Sequence, residues 1–241
     1  LNLRYIQLPN AGYDDALDYV RPGITLCNAR GVHDASTAEL AVGLAIAARR
    51  GFSDFAIAQQ KGEWTHRRYQ SLNDSKIAIV GAGSIGNTLA NYLSVFDVEI
   101  TSFSRSGDNG SSKMNEFDKQ ISNFDVIFLI LPLNDDSKNL FDETRLKAMK
   151  SGATLVNVAR GAIVNTDALV EVLNAGRINA GLDVTDPEPL PANHPLWKAK
   201  NCVISPHVGG DSTAFNSRCK RLVEEQLILL ATNQTLINIV N

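Results

Sequence analysis

The 241-residue sequence predicts an α/β fold built on a doubly wound parallel sheet. Short apolar segments typical of strands alternate with helical segments along most of the chain, and this alternation is characteristic of parallel sheets covered by helices. One of these strands leads directly into Gly81, Gly83 and Gly86 at the spacing G-x-G-x-x-G. In such a fold, ligands bind at the carboxyl ends of the strands.

Ahead of the glycines, the sequence predicts four elements: a strand at residues 3–8, a turn that leads into a helix at 12–19, a strand at 23–28 and a helix at 36–50. Ser36 or Thr37 can cap the last helix, which is apolar on nearly every face and should be buried on several sides. Residues 51–74 are polar and lack strong periodicity, so a disordered linker is one interpretation. Trp64 and Tyr69 in this segment favour an arm that packs on a partner.

Behind the glycines, helices and strands alternate as far as the last residues. The predicted elements are a helix at 87–93, a strand at 98–103, a polar loop at 104–112, a strand at 126–131, a helix that begins at 144–149, strands at 154–157, 180–184 and 202–204, and a C-terminal helix at 217–231. The carboxyl ends of these parallel strands should form one rim, where functional side chains gather.

The glycine motif predicts a site for the pyrophosphate of a dinucleotide. The first glycine permits a tight turn, the second lets the backbone approach the phosphates, and the third allows the helix to pack closely on the strand. The N-terminus of that helix offers N–H groups and the positive end of its dipole. A glycine-rich turn without a ligand is the alternative, and the flanking strands and helix argue against it. The residues assigned to the site are Gly81, Gly83, Ser84, Ile85 and Gly86.

Composition disfavours several other classes. With 44% hydrophobic residues, 20% charged residues and a formal charge of −3, the chain resembles an ordinary globular protein and lacks the basic runs that bind nucleic acid or anionic membranes. No apolar run is long enough to span a membrane, and the first residues do not read as a signal peptide. Cys27, Cys202 and Cys219 suit a reducing compartment and packing roles. His33 and His66 lack partners at ligand spacing, so no metal site is expected.

Three polar residues should meet at the rim. Arg160, Glu188 and His207 each come shortly after one of the last three predicted strands. Taken singly, the arginine could be a surface or capping cation, the glutamate a solvent-exposed turn residue and the histidine a residue that closes a turn. Together, on one dinucleotide-binding fold, they supply the three functions that hydride transfer to a 2-keto acid requires.

With these motifs in order, the sequence resembles the D-isomer-specific 2-hydroxyacid dehydrogenase family over nearly its whole length. The matching segments are GAGSIG at 81–86, LPL at 131–133, NVARG at 157–161, GLDV with DPEP at 181–189 and SPHVGG at 205–210. The resemblance implies a Rossmann-type NAD(P)-binding domain with a partial flavodoxin-like substrate domain. It also implies a small 2-keto acid as substrate and a nicotinamide dinucleotide as the hydride carrier.

The resemblance implies a role for each rim residue. Arg160 would grip the substrate carboxylate and polarise the keto oxygen, a task that suits a guanidinium fork better than an ammonium group. His207 would be the general acid towards the ketone, and Glu188 the carboxylate that hydrogen-bonds the histidine and favours its protonated form. Ala11 and Gly12 match a turn that offers backbone N–H groups to the substrate. Further cofactor contacts are expected from Leu131, Pro132, Val158, Ala159, Asp183 and Gly209.

The resemblance also divides the chain into parts. Residues 1–28 are expected to be the remnant of a substrate domain whose earlier strands this sequence lacks, and residues 212–241 a helical segment that packs back on it. Residues 29–211 form the expected dinucleotide-binding domain, with a dimerisation arm at 51–74 in which Trp64 matches the family's tryptophan. A cytoplasmic homodimer is the expected assembly, because two-fold dimers are the commonest closed assemblies.

Position 104 departs from the pattern of the NAD-specific members. In those proteins an acidic residue at the end of the second strand accepts a hydrogen bond from the ribose 2′-OH, whereas this chain has Ser104, Arg105 and Ser106. An arginine with hydroxyl neighbours and no carboxylate can bind a 2′-phosphate, so NADP is the expected cofactor. In the alternative, Arg105 stacks on the adenine and NAD still binds.

The sequence therefore predicts an NADP(H)-preferring reductase of small 2-keto acids such as glyoxylate or hydroxypyruvate. The alternative is a non-enzymatic dinucleotide-sensing protein, like the corepressors related to this family, although no added basic or peptide-binding segment supports it. Formate dehydrogenase activity is disfavoured, because relatives with that activity lack a glutamate at the position of Glu188.

Overall fold

The computed structural model describes residues 3–13, 16–108 and 110–241. In chain order its strands are β1 (Tyr5–Gln7), β2 (Thr25–Cys27), β3 (Ser75–Val80), β4 (Val98–Ser104), β5 (Ser112–Lys113), β6 (Val126–Leu129), β7 (Thr154–Asn157), β8 (Asn179–Leu182) and β9 (Cys202–Ile204). The α-helices are α1 (Asp34–Arg50), α2 (Phe52–Lys61), α3 (Ser84–Leu93), α4 (Met114–Gln120), α5 (Glu143–Ala148), α6 (Thr166–Asn174) and α7 (Phe215–Ala231).

Strands β3 to β9 form one parallel sheet in the order β5-β4-β3-β6-β7-β8-β9. The chain lays β4 and β5 on one side of β3 and all later strands on the other side, so the direction of winding reverses between β3 and β6. Such a reversal opens a crevice at the carboxyl ends of the strands, because the loops after the two central strands diverge. The predicted doubly wound α/β class is confirmed.

Apolar side chains fill both faces of this sheet. On one face Phe103, Phe117 and Phe124 form mutual ring contacts, and all three are buried. On the other face, alanines such as Ala41 and Ala45 let α1 lie close to β7 and β8, and both are fully buried. The small side chains explain why α1 can contact the sheet and α3 together, as its apolar composition predicts.

The first and last parts of the chain pack on each other. Strands β1 and β2 pair in parallel, and Cys27 at the end of β2 makes an antiparallel bridge with Ile239. On α7 the buried side chain of Gln226 donates hydrogen bonds to Gln7 Oε1 and to the carbonyl of Ile237, each at 2.8 Å. Because a buried amide needs such partners, the network fixes α7 against the residues around β1.

At the amino ends of the strands, Arg49 ties the end of the arm to the sheet. Its buried guanidinium donates to the carbonyl of Ser71 at 2.9 and 2.6 Å and to the carbonyl of Asp125 at 3.0 Å. Burial lowers the pKa of Arg49 from its ordinary value, and the nearby charge of Asp125 opposes that shift. The end of the arm at Ser71 is therefore held against the core.

One sequence-based prediction, the cap of α1, is wrong, and one helix was not predicted. Residues 51–74 contain the helix α2, which runs between Gly51 and Gly62, both in the left-handed region at φ 69° and 67°. Its apolar side chains do not form a buried stripe, so the periodicity that reveals most helices is weak here. Helix α1 begins at Asp34, which places Ser36 and Thr37 inside its first turn, and no side chain caps it.

The predicted turn and helix at 12–19 shortens to a single 3₁₀ turn at Leu17–Tyr19, and Asp14 and Asp15 lie outside the described residues. Across the part of the chain that the structure describes, no helix has both the length and the apolar character needed to cross a membrane.

Candidate active site

The loop after β3 has the backbone geometry that a pyrophosphate site requires. Gly81 has φ 118°, and a Cβ there would lie 2.0 Å from the carbonyl oxygen of Ile130. A Cβ on Gly86 would lie 2.0 Å from the carbonyl oxygen of Gly81, whereas one on Gly83 would meet nothing within 4 Å. The first and third glycines thus allow close packing, and the second leaves open space beside the backbone. No side chain caps the N-terminus of α3, so its first N–H groups fit an anion.

A second contact fixes this loop from the side of α1. The hydroxyl of Ser84, the first residue of α3, donates a short hydrogen bond to the buried carboxylate of Asp34. The same carboxylate accepts from the backbone N–H of Gly31 at 3.2 Å. Asp34 therefore connects the start of α1 to the glycine loop, which keeps the open face of that loop in one position.

The three predicted rim residues follow three neighbouring strands. Arg160 comes after β7, Glu188 after β8 and His207 after β9, and these strands are adjacent in the sheet. Because the strands are parallel, all three residues stand at the same edge of the sheet. The topology accordingly brings them to the rim beside the crevice, as the sequence predicts.

Arg160 is half-buried in a turn that its neighbours hold. The side-chain amide of Asn157 donates to the carbonyl of Arg160 at 2.9 Å and accepts from the N–H of Ala159 at 3.1 Å. The guanidinium donates to the carbonyl of Ala159 at 2.8 Å. At the next residue, Gly161, a Cβ would lie 2.0 Å from the carbonyl group of Thr185. The loop of Arg160 therefore touches the loop that leads to Glu188.

His207 and Glu188 are in direct contact. Nδ1 of the imidazole lies 2.5 Å from Oε1 of the carboxylate, and both side chains are partly exposed. A carboxylate only accepts hydrogen bonds, so Nδ1 carries a proton and Nε2 is the ring nitrogen that can serve a substrate. This is the geometry of a general acid that is held by an orienting carboxylate.

Asp183 holds the loop on which the histidine sits. Its carboxylate, only 2% exposed, accepts from Ser205 Oγ at 2.6 Å, from the N–H of Val208 at 2.9 Å and from the N–H of Gly209 at 2.8 Å. The backbone N–H of His207 donates to the Asp183 carbonyl at 2.7 Å, and His207 adopts a left-handed φ of 55°. The contacts on both sides of the histidine balance that uncommon conformation.

Pro9, two residues before the turn of Ala11 and Gly12, is linked to the same rim through His33. One ring nitrogen of His33, Nε2, lies 2.9 Å from the carbonyl oxygen of Pro9, and the other, Nδ1, lies 3.2 Å from that of Gly210. Gly210 ends the segment that carries His207, so the ring bridges the two loops. This bridge could not be predicted from the sequence, because its partners are far apart along the chain.

The loop after β4 holds the predicted specificity residues. The Ser111 hydroxyl donates to the carbonyl of Asp108 at 2.6 Å, so in its 2.7 Å contact with Ser104 the proton comes from Ser104. Ser104 also accepts from the N–H of Gly107 at 3.0 Å. Its hydroxyl therefore shapes the turn, and the exposed Arg105 places a positive charge in this loop.

Four more of the predicted cofactor residues begin the loops after β6 and β7. Leu131 and Pro132 lie just beyond β6, and Val158 and Ala159 lie just beyond β7. Val158 and Ala159 are each 8% exposed.

No group of three or more His, Cys, Asp or Glu side chains that could hold a metal occurs among the described residues. Burial raises the pKa of the Cys202 thiol to about 12, which keeps it protonated and fits a packing role.

The contact between Glu188 and His207 predicts a loss of turnover on substitution. In Glu188→Gln the imidazole loses the carboxylate that accepts its Nδ1 proton and orients Nε2, so kcat should fall by at least about tenfold. The change is measured by steady-state kinetics of the reduction. Glu171→Gln, an exposed glutamate on α6, is the matched control and should leave kcat unchanged. An unchanged kcat in Glu188→Gln would make this residue a turn residue only.

Comparisons with known proteins agree with this architecture. The family model described as "D-isomer specific 2-hydroxyacid dehydrogenase, NAD binding domain" matches residues 42–209. A glyoxylate reductase of Thermofilum pendens is 34% identical over 94% of this chain and 71% of its own length. The human glyoxylate reductase/hydroxypyruvate reductase is 34% identical over 94% of this chain and 74% of its own length. A D-isomer specific 2-hydroxyacid dehydrogenase family protein from Aeromonas salmonicida superposes with a TM-score of 0.89 at 30% identity, covering 99% of this chain and 79% of that one.

Proposed function

The chain belongs to the D-isomer-specific 2-hydroxyacid dehydrogenase family, and from that premise we propose that it reduces glyoxylate or hydroxypyruvate with NADPH through Arg160, Glu188 and His207. As a member of the family it is an NAD(P)-dependent oxidoreductase that transfers a hydride between the nicotinamide and a small 2-keto or 2-hydroxy acid. The non-enzymatic alternative is not favoured, because the relatives named above are enzymes.

One observation carries the proposal: the 2.5 Å contact between His207 Nδ1 and Glu188 Oε1 on the strand ends next to Arg160. The contact directs Nε2 of His207 away from Glu188 and gives the protonated imidazole a fixed counter-ion. A surface histidine with no role would not need a buried carboxylate, Asp183, to anchor its loop from two sides.

In the proposed reaction each side chain has one task. Arg160 binds the substrate carboxylate and polarises the keto oxygen, and the N–H groups near Ala11 and Gly12 bind the other side of that carboxylate. His207 donates a proton from Nε2 to the keto oxygen, while Glu188 stabilises the charged imidazole beforehand. When bound, the dinucleotide supplies the hydride. In the reverse direction His207 takes the proton from the hydroxyl group.

The proposed cofactor preference depends on Arg105. An always-charged guanidinium at the end of β4, with no carboxylate at position 104, favours the 2′-phosphate of NADP, to which Ser106 can add a hydroxyl. The hydroxyl of Ser104 contributes through the turn, since its proton is engaged by Ser111. NAD remains able to bind, because the glycine loop is common to both cofactors.

The substrate proposal is tested by following NADPH absorbance at 340 nm, the band of the reduced nicotinamide, while the protein is mixed with glyoxylate, hydroxypyruvate or pyruvate. We expect oxidation with the first two and slower oxidation with pyruvate. Oxidation with pyruvate alone would transfer the proposal to another 2-keto acid. No oxidation with any of the three, from a protein that binds NADPH, would overturn it.

We also propose a cytoplasmic homodimer joined through the arm. Trp64 is 97% exposed, and Phe52 and Ile57 of α2 are about half exposed, so the arm presents apolar surface that a second copy would bury. The three cysteines are free, which suits a reducing compartment. Light scattering should give the mass of two chains and cell fractionation a cytoplasmic location. The mass of a single chain at micromolar concentration would contradict the proposed dimer.

A further inference from the structure

An ion pair spans the entrance of the crevice at the end of β4. Nη1 of Arg105 lies 3.2 Å from Oδ2 of Asp136. Arg105 follows β4 and Asp136 belongs to the loop after β6, and these two strands flank β3 on either side. The pair therefore passes over the loop that continues from β3, on the side where the ribose next to the adenine binds in this fold.

The loop that carries Asp136 is built to hold it there. The side-chain oxygen of Asn134 accepts from the N–H of Asp136 and from that of Ser137, both at 3.0 Å. The hydroxyl of Ser137, which is 4% exposed, donates to the carbonyl of Pro132 at 2.8 Å. The backbone of Asp136 is thus fixed although its side chain is exposed, and the carboxylate starts from a defined position opposite Arg105.

Because the hydroxyl of Ser104 already donates to Ser111, the carboxylate of Asp136 has more influence on how a 2′-phosphate binds. With the proton of Ser104 directed at Ser111, the guanidinium of Arg105 is the main group of its loop that can meet a 2′-phosphate. In the structure that guanidinium already has a carboxylate partner. A 2′-phosphate at Arg105 either displaces this carboxylate or shares the guanidinium with it, and in both cases it lies close to a like charge.

We propose that Asp136 is a specificity-determining residue that competes with the 2′-phosphate for Arg105 and so limits the preference for NADP over NAD. The inference rests on the proposed function, because it concerns the same 2′-phosphate site. NAD has a neutral 2′-OH at this place and leaves the ion pair intact. The carboxylate therefore weakens the binding of NADP and has little effect on NAD.

The test is calorimetric titration of Asp136→Asn with NADPH and with NADH. We expect NADPH to bind about two- to fivefold more tightly than to the wild type, the range that exposed charges give, and the affinity for NADH to change by less than about twofold. The gain for NADPH should shrink in high salt, because both charges are exposed. Asp135→Asn is the matched control: it removes the same charge one residue away, from a carboxylate that makes no ion pair among the described residues.

The outcomes separate this inference from the proposed cofactor site. If Asp136→Asn behaves like Asp135→Asn, or tightens NADH as much as NADPH, the competition by Asp136 is overturned. Arg105→Ala tests the site itself and should lose the preference for NADPH. If that variant binds NADPH as tightly as the wild type does, the proposed 2′-phosphate site fails. Unchanged melting temperatures would show that the three exposed substitutions leave the fold intact.

Discussion

His207→Asn is expected to lower kcat by at least about 10²-fold while the affinity for NADPH stays nearly the same, because a positioned proton donor contributes on this scale. Asparagine is the informative replacement. Residue 207 has a left-handed φ of 55°, which asparagine adopts more readily than most residues, so the substitution removes the imidazole with little added strain. Steady-state assays of NADPH oxidation with glyoxylate give kcat, and calorimetry gives the cofactor affinity.

His194→Asn is the control for this result. The ring of His194 accepts a hydrogen bond from the N–H of Leu196 at 3.2 Å at the start of a 3₁₀ turn, and an asparagine side chain can accept the same bond. Turnover should therefore remain near that of the wild type. If His207→Asn turned over at the wild-type rate, the assignment of the general acid would be wrong.

The second large effect is a reversal of cofactor preference in Ser104→Asp with Arg105→Ala. Charge-assisted hydrogen bonds from Arg105 to a 2′-phosphate are worth about 1.5–3 kcal/mol, or roughly a ten- to hundred-fold preference for NADP. An aspartate at 104 keeps an acceptor for the N–H of Gly107, accepts the 2′-OH of NAD and repels the phosphate. Titration of both cofactors into both proteins measures the ratio of affinities.

The single variants assign the parts of that reversal. Arg105→Ala should abolish the preference for NADP, and Ser104→Asp should add a preference for NAD. Equal affinities for the two cofactors in the wild-type chain would contradict the proposal, as would a ratio that the double substitution leaves unchanged.

The sheet could be predicted closely because most of its strands are buried on both faces. The strand at 154–157 coincides with the fully buried β7, since continuous apolar runs between turns have few other interpretations. The strand at 202–204 also coincides with β9, an edge strand that is only partly buried. Helix α2 escaped prediction for the opposite reason: Phe52, Phe55 and Ile57 are exposed within one chain and form no inward stripe. Periodicity indicates a helix only where one face is buried in the same chain.

For the site, the sequence pointed to the residues that follow strands and missed the residues that support them. The contact of Glu188 with His207 could be expected from their places after β8 and β9. The contact of Asp34 with Ser84 could not, because the two residues are separated by 50 positions and meet only after α1 has packed on α3. The partner of Arg105 was missed in the same way, since Asp136 belongs to a loop on the far side of β3.

Because Gly161 lies so close to Thr185, we expect position 161 to tolerate mutation poorly although glycine has no chemical role in the reaction. Any side chain at 161 would displace the carbonyl of Thr185, three residues before Glu188. The site therefore requires glycine at position 161 as much as it requires the guanidinium of Arg160. In a library that randomises the rim for new substrates, position 161 should remain glycine among all active clones, and diversity should concentrate in the exposed residues that face solvent beyond it.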